Sequence, residues 1–202
     1  MKKKRGAGGV IVLILIVAVF VGAFVLIMRY APRSAEDTTK VSELDTLLNI
    51  DVAGSYPSTP REVMKLYNRY IICLYGEGSD AITDGQMQAL GAKLRVMYDE
   101  ALLEKNPQEA NFENLILELG SFREDKKTII QANVCGSNEV EYVKAKGGSG
   151  AFVEVSYFMR YDNDTKERFR RTYQRFLLRK DADGNWKILG FEQVDRPAEG
   201  EE

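Results

Sequence analysis

The chain has 202 residues, with 28 lysines and arginines, 30 aspartates and glutamates, and no histidine. The lack of histidine excludes Ser-His-Asp and Cys-His catalysis and every His-ligated metal site. All 30 acids and 22 of the cations lie beyond residue 33, which gives that part a net charge of −8. This charge argues against a nucleic-acid partner, because nucleic-acid binding needs a basic surface.

The uncharged run from Val10 to Met28 is the first element of the chain. Its nineteen residues would form a helix about 28 Å long, close to the thickness of a bilayer's hydrocarbon core. Four cations precede the run, and Arg29 and Arg33 follow it, which favours a cytoplasmic N-terminus. The run therefore predicts an uncleaved signal-anchor, a single-pass transmembrane helix in the cell membrane. Residues 1–9 would be a basic cytoplasmic tag, and residues 29–57 an extracytoplasmic stalk.

Three helix starts follow the stalk. Thr59-Pro60-Arg61-Glu62 and Thr83-Asp84-Gly85-Gln86 are typical of capping boxes, in which the first and last side chains satisfy free backbone N–H groups. Asn106-Pro107 marks the third start. Apolar residues recur every three or four positions behind each start, and this spacing predicts three amphipathic helices. The second is predicted to continue to about Lys105.

Beyond Lys127 the apolar period changes to two, which is typical of strands. Ala151 to Tyr161 alternates most clearly, and short turns join it to its neighbours. Short turns indicate antiparallel pairing. The predicted fold class is therefore α+β: an N-terminal transmembrane helix, then three helices packed on a curved antiparallel sheet of four to five strands. The domain would span residues 58–195, and residues 196–202 would be an acidic tail.

This order of elements resembles the nuclear-transport-factor-two-like cone, the shape shared by ketosteroid isomerase and many accessory domains. Phe176 to Lys180, the turn, and Asp183 to Phe191 are typical of its last hairpin. The stretch Tyr56 to Val63 is similar to membrane-anchored proteins of Gram-positive bacteria. The resemblance implies a cone-shaped domain. Because functions within this fold are diverse, it implies no particular activity, and no catalytic residue is carried over.

Five tyrosines on predicted inward faces form a candidate pocket. A cone lined with tyrosines and a few acids, such as Asp99 or Glu100, would suit a small ligand. The alternative is a filled core whose hydroxyls reach the rim. No catalytic, cofactor-binding or metal-binding residue is assigned. The candidate pocket residues are Tyr67, Tyr70, Tyr98, Tyr157 and Tyr161.

Seven cations lie between Lys166 and Lys180 against the single acid Glu167. One interpretation is a contact for an anionic partner, such as a phosphate-bearing wall polymer, anionic lipid headgroups or an acidic protein. The other is a solvated sheet face whose cations pair with acids on neighbouring strands, namely Glu154, Asp162 and Glu192. The candidate patch for an anionic partner comprises Arg168, Arg170, Arg171 and Arg175.

The two cysteines, Cys73 and Cys135, are too few for a zinc site. They are predicted to be free thiols, with one disulfide as the alternative.

These observations favour a membrane-tethered, non-enzymatic domain outside the cell that binds a partner or ligand and uses no cofactor. Its partner would be an extracytoplasmic protein, a wall polymer or a small ligand. An isomerase or hydrolase with a tyrosine and carboxylate pocket is one alternative. A structural subunit that forms homo-oligomers through the sheet is another.

Overall fold

The computed structural model describes residues 42–145, 148–164 and 166–195. Within these ranges five α-helices precede five β-strands. The helices are α1 (Glu43–Asn49), α2 (Pro60–Tyr75), α3 (Asp84–Arg95), α4 (Glu100–Lys105) and α5 (Gln108–Glu124). The strands are β1 (Lys127–Val134), β2 (Glu141–Ala145), β3 (Gly148–Tyr161), β4 (Phe169–Lys180) and β5 (Trp186–Val194).

All three predicted helix starts are confirmed, two of them by their caps, and α5 begins at Gln108 directly after Pro107. The Thr59 hydroxyl accepts a hydrogen bond from the backbone N–H of Glu62 at 3.2 Å, and Pro60 is the first residue of α2. Thr83 and Gln86 form a full capping box, because each side chain accepts a hydrogen bond from the other's backbone N–H, at 3.3 and 3.0 Å. These bonds satisfy donors that the first turn of a helix leaves free, and so they fix where α2 and α3 begin.

The sheet is antiparallel throughout and is organised around β3. Both β1 and β2 pair with β3, β1 opposite residues 155–161 and β2 opposite residues 148–152. On the other side β4 pairs with residues 150–160 of β3, and β5 pairs with β4. The central position of β3 agrees with its alternation, which is the clearest in the sequence.

The core lies between the inner face of the sheet and the helices. Alternate residues of β3 point inward, and Ala151, Val153 and Val155 have no exposed surface. Each fully buried aliphatic side chain of this size stabilises the fold by about 1.5–3 kcal/mol. The side chains buried on the helical side include Val63, Met64, Tyr70, Leu74, Leu90, Leu94 and Met97.

The prediction that the second helix continues to about Lys105 is wrong. Helix α3 ends at Arg95, and α4 begins at Glu100. Between them the chain pairs with the edge of β5: Ile188 N–H donates to the Met97 carbonyl, and Asp99 N–H donates to the Ile188 carbonyl, both at 2.8 Å. These bonds satisfy strand-edge groups that a continuous helix could not reach, so they outweigh the helical spacing of the apolar residues.

Asp99 fixes this break in place. Its carboxylate accepts hydrogen bonds from Arg179 Nε at 2.9 Å and Nη2 at 2.5 Å, and from the backbone N–H of Ala101 at 2.9 Å. Asp99 is only 3% exposed, so its charge needs all of these donors. The same carboxylate therefore caps α4 and connects the helices to β4.

The predicted fold class is corrected in two respects. Five α-helices, not three, precede the sheet in the described ranges. No helix among these residues is long and apolar enough to cross a membrane. This finding corrects the transmembrane helix in the predicted fold class. It also corrects the membrane, single-pass and signal-anchor interpretation. The architecture found is α+β without such a helix in the described part. The stretch Val10–Met28 lies outside the described residues.

The compact domain begins at Ser42, within the segment that the sequence assigned to a stalk. Leu47 of α1 is fully buried, and its carbonyl accepts a hydrogen bond from the Tyr70 hydroxyl at 3.1 Å. Lys93 Nζ donates to the Ile50 carbonyl at 2.5 Å just beyond the helix. Helix α1 is therefore part of the domain core.

Replacing Leu47 with alanine tests this assignment. Removing a fully buried leucine leaves a cavity, and we expect Leu47→Ala to lower the free energy of unfolding by about 3 kcal/mol. Leu117 is 70% exposed, so Leu117→Ala is the matched control and should have almost no effect. Urea unfolding of both variants measures the difference. Equal midpoints for the two would show that α1 does not contribute to the core.

The ion pair between Asp99 and Arg179 gives a second prediction. We expect Arg179→Gln to destabilise the domain by about 2 kcal/mol, because it leaves a buried carboxylate without its charged partner. Adding Asp99→Asn should recover part of this loss, since an amide needs no counter-charge. Arg168→Gln, which removes an exposed pair with Asp162, should leave the unfolding midpoint nearly unchanged. A double mutant less stable than Arg179→Gln would contradict this account.

Candidate functional site

A cavity of about 530 Å³ lies between the helices and the inner face of the sheet. Helices α2, α3 and α5 and strands β1, β3, β4 and β5 all contribute to its wall. The apolar lining residues are Ile71, Gly91, Leu94, Leu115, Phe122, Ile129, Met159 and Phe191. The polar ones are Tyr67, Tyr75, Tyr98, Asn106, Asn111, Asn114, Glu118, Tyr157, Thr172, Gln174 and Gln193.

Four tyrosines converge on this cavity from three elements. Tyr67 and Tyr75 lie eight residues apart on α2, with Ile71 midway, so all three occupy one face of that helix. Tyr98 is held in place by the extended segment between α3 and α4, which pairs with Ile188. Tyr157 is an inward residue of β3 and is 5% exposed. Their convergence depends on both the α2 periodicity and the break after α3.

The tyrosine hydroxyls are connected to polar partners. Tyr157 donates to Asn68 Oδ1 at 2.9 Å. The Tyr67 hydroxyl hydrogen-bonds to Tyr98 and thereby opposes the rise in the Tyr98 pKa. Tyr75 hydrogen-bonds to the Glu118 carboxylate.

Burial raises the pKa of all four tyrosines. Desolvation is the largest cause in each case, since a phenolate loses its hydration inside the domain. The negative charge of Glu118 raises the pKa of Tyr67 and Tyr75 further. At Tyr98 the same effect is opposed by the positive charge of Arg95, which lowers the pKa. The hydroxyls therefore stay protonated at neutral pH. They can donate hydrogen bonds to a ligand but are poorly suited to remove a proton from one.

Uncharged amides supply most of the remaining polarity. Asn106, Asn111 and Asn114 approach from the helical side, and Gln174 and Gln193 from the sheet. Each amide offers both a donor and an acceptor. Glu118 is the one charged residue among the described residues that line the cavity, and it is exposed. Its exposure places the carboxylate at the mouth.

Helix α5 forms part of the cavity wall. Leu115 separates the tyrosine-lined cavity from a second cavity of about 480 Å³ between α3 and α5. A Cβ at Gly91 of α3 would lie 3.4 Å from Leu115 Cδ2, an ordinary contact distance. Among the described residues of α5, Leu119 is the buried one, and Phe112, Leu115 and Phe122 are partly buried against the core.

The structure brings three of the five predicted pocket residues together. Tyr67, Tyr98 and Tyr157 line the cavity. Tyr70 is fully buried elsewhere and bonds to the Leu47 carbonyl. Tyr161 lies at the end of β3, where its ring is 4.6 Å from the Arg170 guanidinium carbon. Asp99 and Glu100 are also outside the cavity lining.

Sequence reasoning missed the remaining polar lining. Tyr75 continues the α2 face that carries Tyr67 and could have been found by its spacing. Glu118 and the asparagines of α5 depend on how that helix is placed. Leu115 and Phe122 of its predicted apolar face pack against the core, but Ile116 of the same face is exposed. Gln174 and Gln193 lie directly opposite each other on β4 and β5, at inward positions that the alternation favours for apolar residues.

The predicted anionic-partner patch is interleaved with acids. Arg168 pairs with Asp162 at 2.9 Å, Arg170 with Asp164, and Arg175 with Glu141. Arg168 and Arg160 hold the pKa of Asp162 below its usual value, with the Arg168 hydrogen bond as the largest cause. Arg171 lies opposite Phe158 in the register of β3 and β4. The contacts favour the solvated-face alternative, and the anionic partner stays a prediction.

Neither cysteine takes part in the cavity. Cys73 of α2 and Cys135 just after β1 are free and half-buried, and burial raises the pKa of both thiols. Across the described ranges, no three cysteine or acidic side chains form a group that could hold a metal ion.

The raised tyrosine pKa values predict a loss of stability at alkaline pH. Below about pH 10 the tyrosines are protonated in both the folded and the unfolded chain. Above it, only the unfolded chain releases these protons, so the free energy of unfolding should fall as the pH rises. Urea unfolding between pH 8 and 11, with tyrosinate absorbance at 295 nm, measures this. Tyr157→Phe should weaken the pH dependence.

Ionisation of all tyrosines near pH 10 in the folded protein would contradict the assigned environment.

Comparison with known proteins adds a family to this geometry. No curated protein matches the chain. Residues 1–191 match a family model described as a domain of unknown function (DUF6715). Because the match covers nearly all of the 202 residues, the chain belongs to the DUF6715 family.

Proposed function

We propose that this domain binds a small organic molecule in the tyrosine-lined cavity and does not act on it chemically. The observation that carries this proposal is the cavity itself, whose volume of about 530 Å³ lies within the range of typical ligand sites. The wall mixes apolar side chains with several convergent hydrogen-bonding groups, which is also typical of such sites.

The lining indicates the shape of ligand that would fit. Ile71, Leu94, Ile129 and Met159 offer an apolar surface on which a ring or short hydrocarbon body would be desolvated. Around this surface, Tyr98 and the side-chain amides offer hydrogen bonds. A ligand with an apolar body and a few polar groups therefore matches the wall. A purely apolar ligand would leave these amides without partners, at a cost of about 1–3 kcal/mol for each group that it buries.

Binding without catalysis is favoured by the state of the tyrosines. General acid–base catalysis works best with a group whose pKa lies near the working pH. Burial moves the pKa of Tyr67, Tyr98 and Tyr157 in the opposite direction, upward from an already high value. The cavity carboxylate, Glu118, lies exposed at the mouth, away from a ligand bound among the apolar side chains.

Filling the cavity tests the proposal. Gln174 is a half-buried lining residue of β4, and a tryptophan there would occupy cavity space without disfavouring the strand. The probe is N-phenyl-1-naphthylamine, a neutral aromatic dye whose fluorescence rises in apolar sites. We expect Gln174→Trp to weaken dye binding by the full chain about tenfold or more, the effect of losing ~1.4 kcal/mol of contact.

The matched control is Gln131→Trp, the same substitution at an exposed position of β1 that does not line the cavity. It should leave dye binding unchanged. The apolar stretch Val10–Met28 is present in every variant, so dye bound there would be unaffected by either substitution. Equal dye affinity in the wild type and Gln174→Trp, with both melting normally, would remove the cavity as the binding site.

A further inference from the structure

We infer that the cavity is selective for an organic cation, an amine or ammonium group carried on an apolar body. This inference rests on the proposed function and adds the charge of the ligand. It follows from the charges in the wall, the aromatic rings beside the single carboxylate, and the positions of the nearest cations.

The wall has one formal charge, and it is negative. Glu118 of α5 lines the cavity, whereas no lysine or arginine does so in the described ranges. Nor does any described lysine or arginine form an ion pair with Glu118. A carboxylate or phosphate ligand would enter with no counter-charge and lie near a like charge, which is unfavourable in a partly desolvated site. A cationic ligand would meet a carboxylate that has no ion pair with a described lysine or arginine.

Aromatic rings surround the position of this carboxylate. Tyr75 hydrogen-bonds to Glu118, and the rings of Tyr75 and Phe122 lie 5.0 Å apart at 73°. Two rings at this angle form a corner beside the carboxylate. A cation close to the face of a tyrosine or phenylalanine is attracted by the negative charge density of the ring face. Rings and carboxylate together therefore favour an ammonium head at the mouth.

Lys127 shows that Phe122 lies within reach of a cation. Its Nζ is 5.8 Å from the centre of that ring and pairs with Asp125 at 2.7 Å. Lys127 is not a lining residue, and Asp125 offsets its charge. On the opposite side, Arg95 donates to the Asn106 carbonyl at 2.7 Å and lines the second cavity. Neither cation lines the tyrosine-lined cavity, although the charge of Arg95 still lowers the pKa of Tyr98.

The tyrosines support the same sign of charge. Burial raises the pKa of Tyr67 and Tyr75, and the negative charge of Glu118 raises it further. Desolvation opposes any charge at that position, whereas the contribution of Glu118 opposes an anion and favours a cation. The tyrosine pKa values report on the interior of the cavity. The pair of rings formed by Tyr75 and Phe122 concerns its mouth.

A charged head group would lose the least hydration at the mouth of the cavity. Glu118 is exposed, so a cation beside it keeps part of its hydration and avoids the desolvation penalty of full burial. The apolar body would then extend inward toward Ile129 and Met159, both of which are nearly buried. Such a ligand is amphipathic, with the cation at one end.

Three indole compounds of matched size test the inference: tryptamine, which is a cation at pH 7, tryptophol, which is neutral, and indole-3-acetate, which is an anion. We expect the full chain to bind tryptamine roughly tenfold more tightly than tryptophol, the ratio that about 1.4 kcal/mol of ring and carboxylate attraction gives. Indole-3-acetate should bind most weakly. Isothermal titration calorimetry measures all three affinities.

Removing the carboxylate separates charge from shape. Glu118→Gln should weaken tryptamine binding about fivefold, as expected for one partly exposed ion pair, and leave tryptophol within about twofold. Glu113→Gln is the matched control, because Glu113 is an exposed residue of the same helix that lines the second cavity instead. It should change neither affinity.

The outcomes separate the two proposals. If tryptophol or indole-3-acetate binds at least as tightly as tryptamine, or if Glu118→Gln leaves tryptamine binding unchanged, the cation inference is overturned. In those cases, binding that is still lost in Gln174→Trp keeps the small-molecule function intact. If none of the three compounds binds, the cation inference also fails. In that case the dye measurement alone decides the proposed function.

Discussion

The buried Asp99 carboxylate is the constraint on which the helical layer depends. A charge at 3% exposure is tolerated only with several donors, and Arg179 and the α4 N-terminus supply them. To reach those donors the chain must leave the helix after Arg95. It then pairs with Ile188, which places Tyr98 against the cavity. One ion pair thus determines where α3 stops, how β5 is covered and where a ligand-facing tyrosine lies.

The cavity follows from a change of residue type along the inner face of the sheet. At one end Ala151, Val153 and Val155 are sealed by the helices with no exposed surface. Farther along, Tyr157 and Met159 lie near Thr172 and Gln174 of β4, at the positions that line the cavity. Polar side chains cannot be packed against apolar helices without partners. The helices therefore stand off at this end, and α5 covers the gap through Leu115 while leaving the space open.

Local signals in the sequence were enough for the strands, the sheet class and three helix starts, because caps and alternation act over a few residues. Thr83 and Gln86 form their box whatever lies around them. The break at Val96 to Asp99 was not predictable, since Met97, Tyr98 and Ala101 keep helical spacing and the competing bonds come from Ile188, far along the chain. The site was partly predictable for the same reason. The helical spacing of α2 identified Tyr67, and the strand alternation of β3 identified Tyr157. The position of Glu118 depends on how α5 packs.

The charge count of β4 suggested a surface awaiting an anion, and the tertiary contacts change that view. The partner of Arg175 is Glu141 of β2, and Arg170 lies between Asp164 and the ring of Tyr161. Sequence shows how many cations a strand carries but not which acids the fold brings beside them. These ion pairs neutralise much of the positive charge between Lys166 and Lys180 within the domain. The charge inside the tyrosine-lined cavity has no such ion pair, so electrostatic selectivity is better sought at Glu118 than along β4.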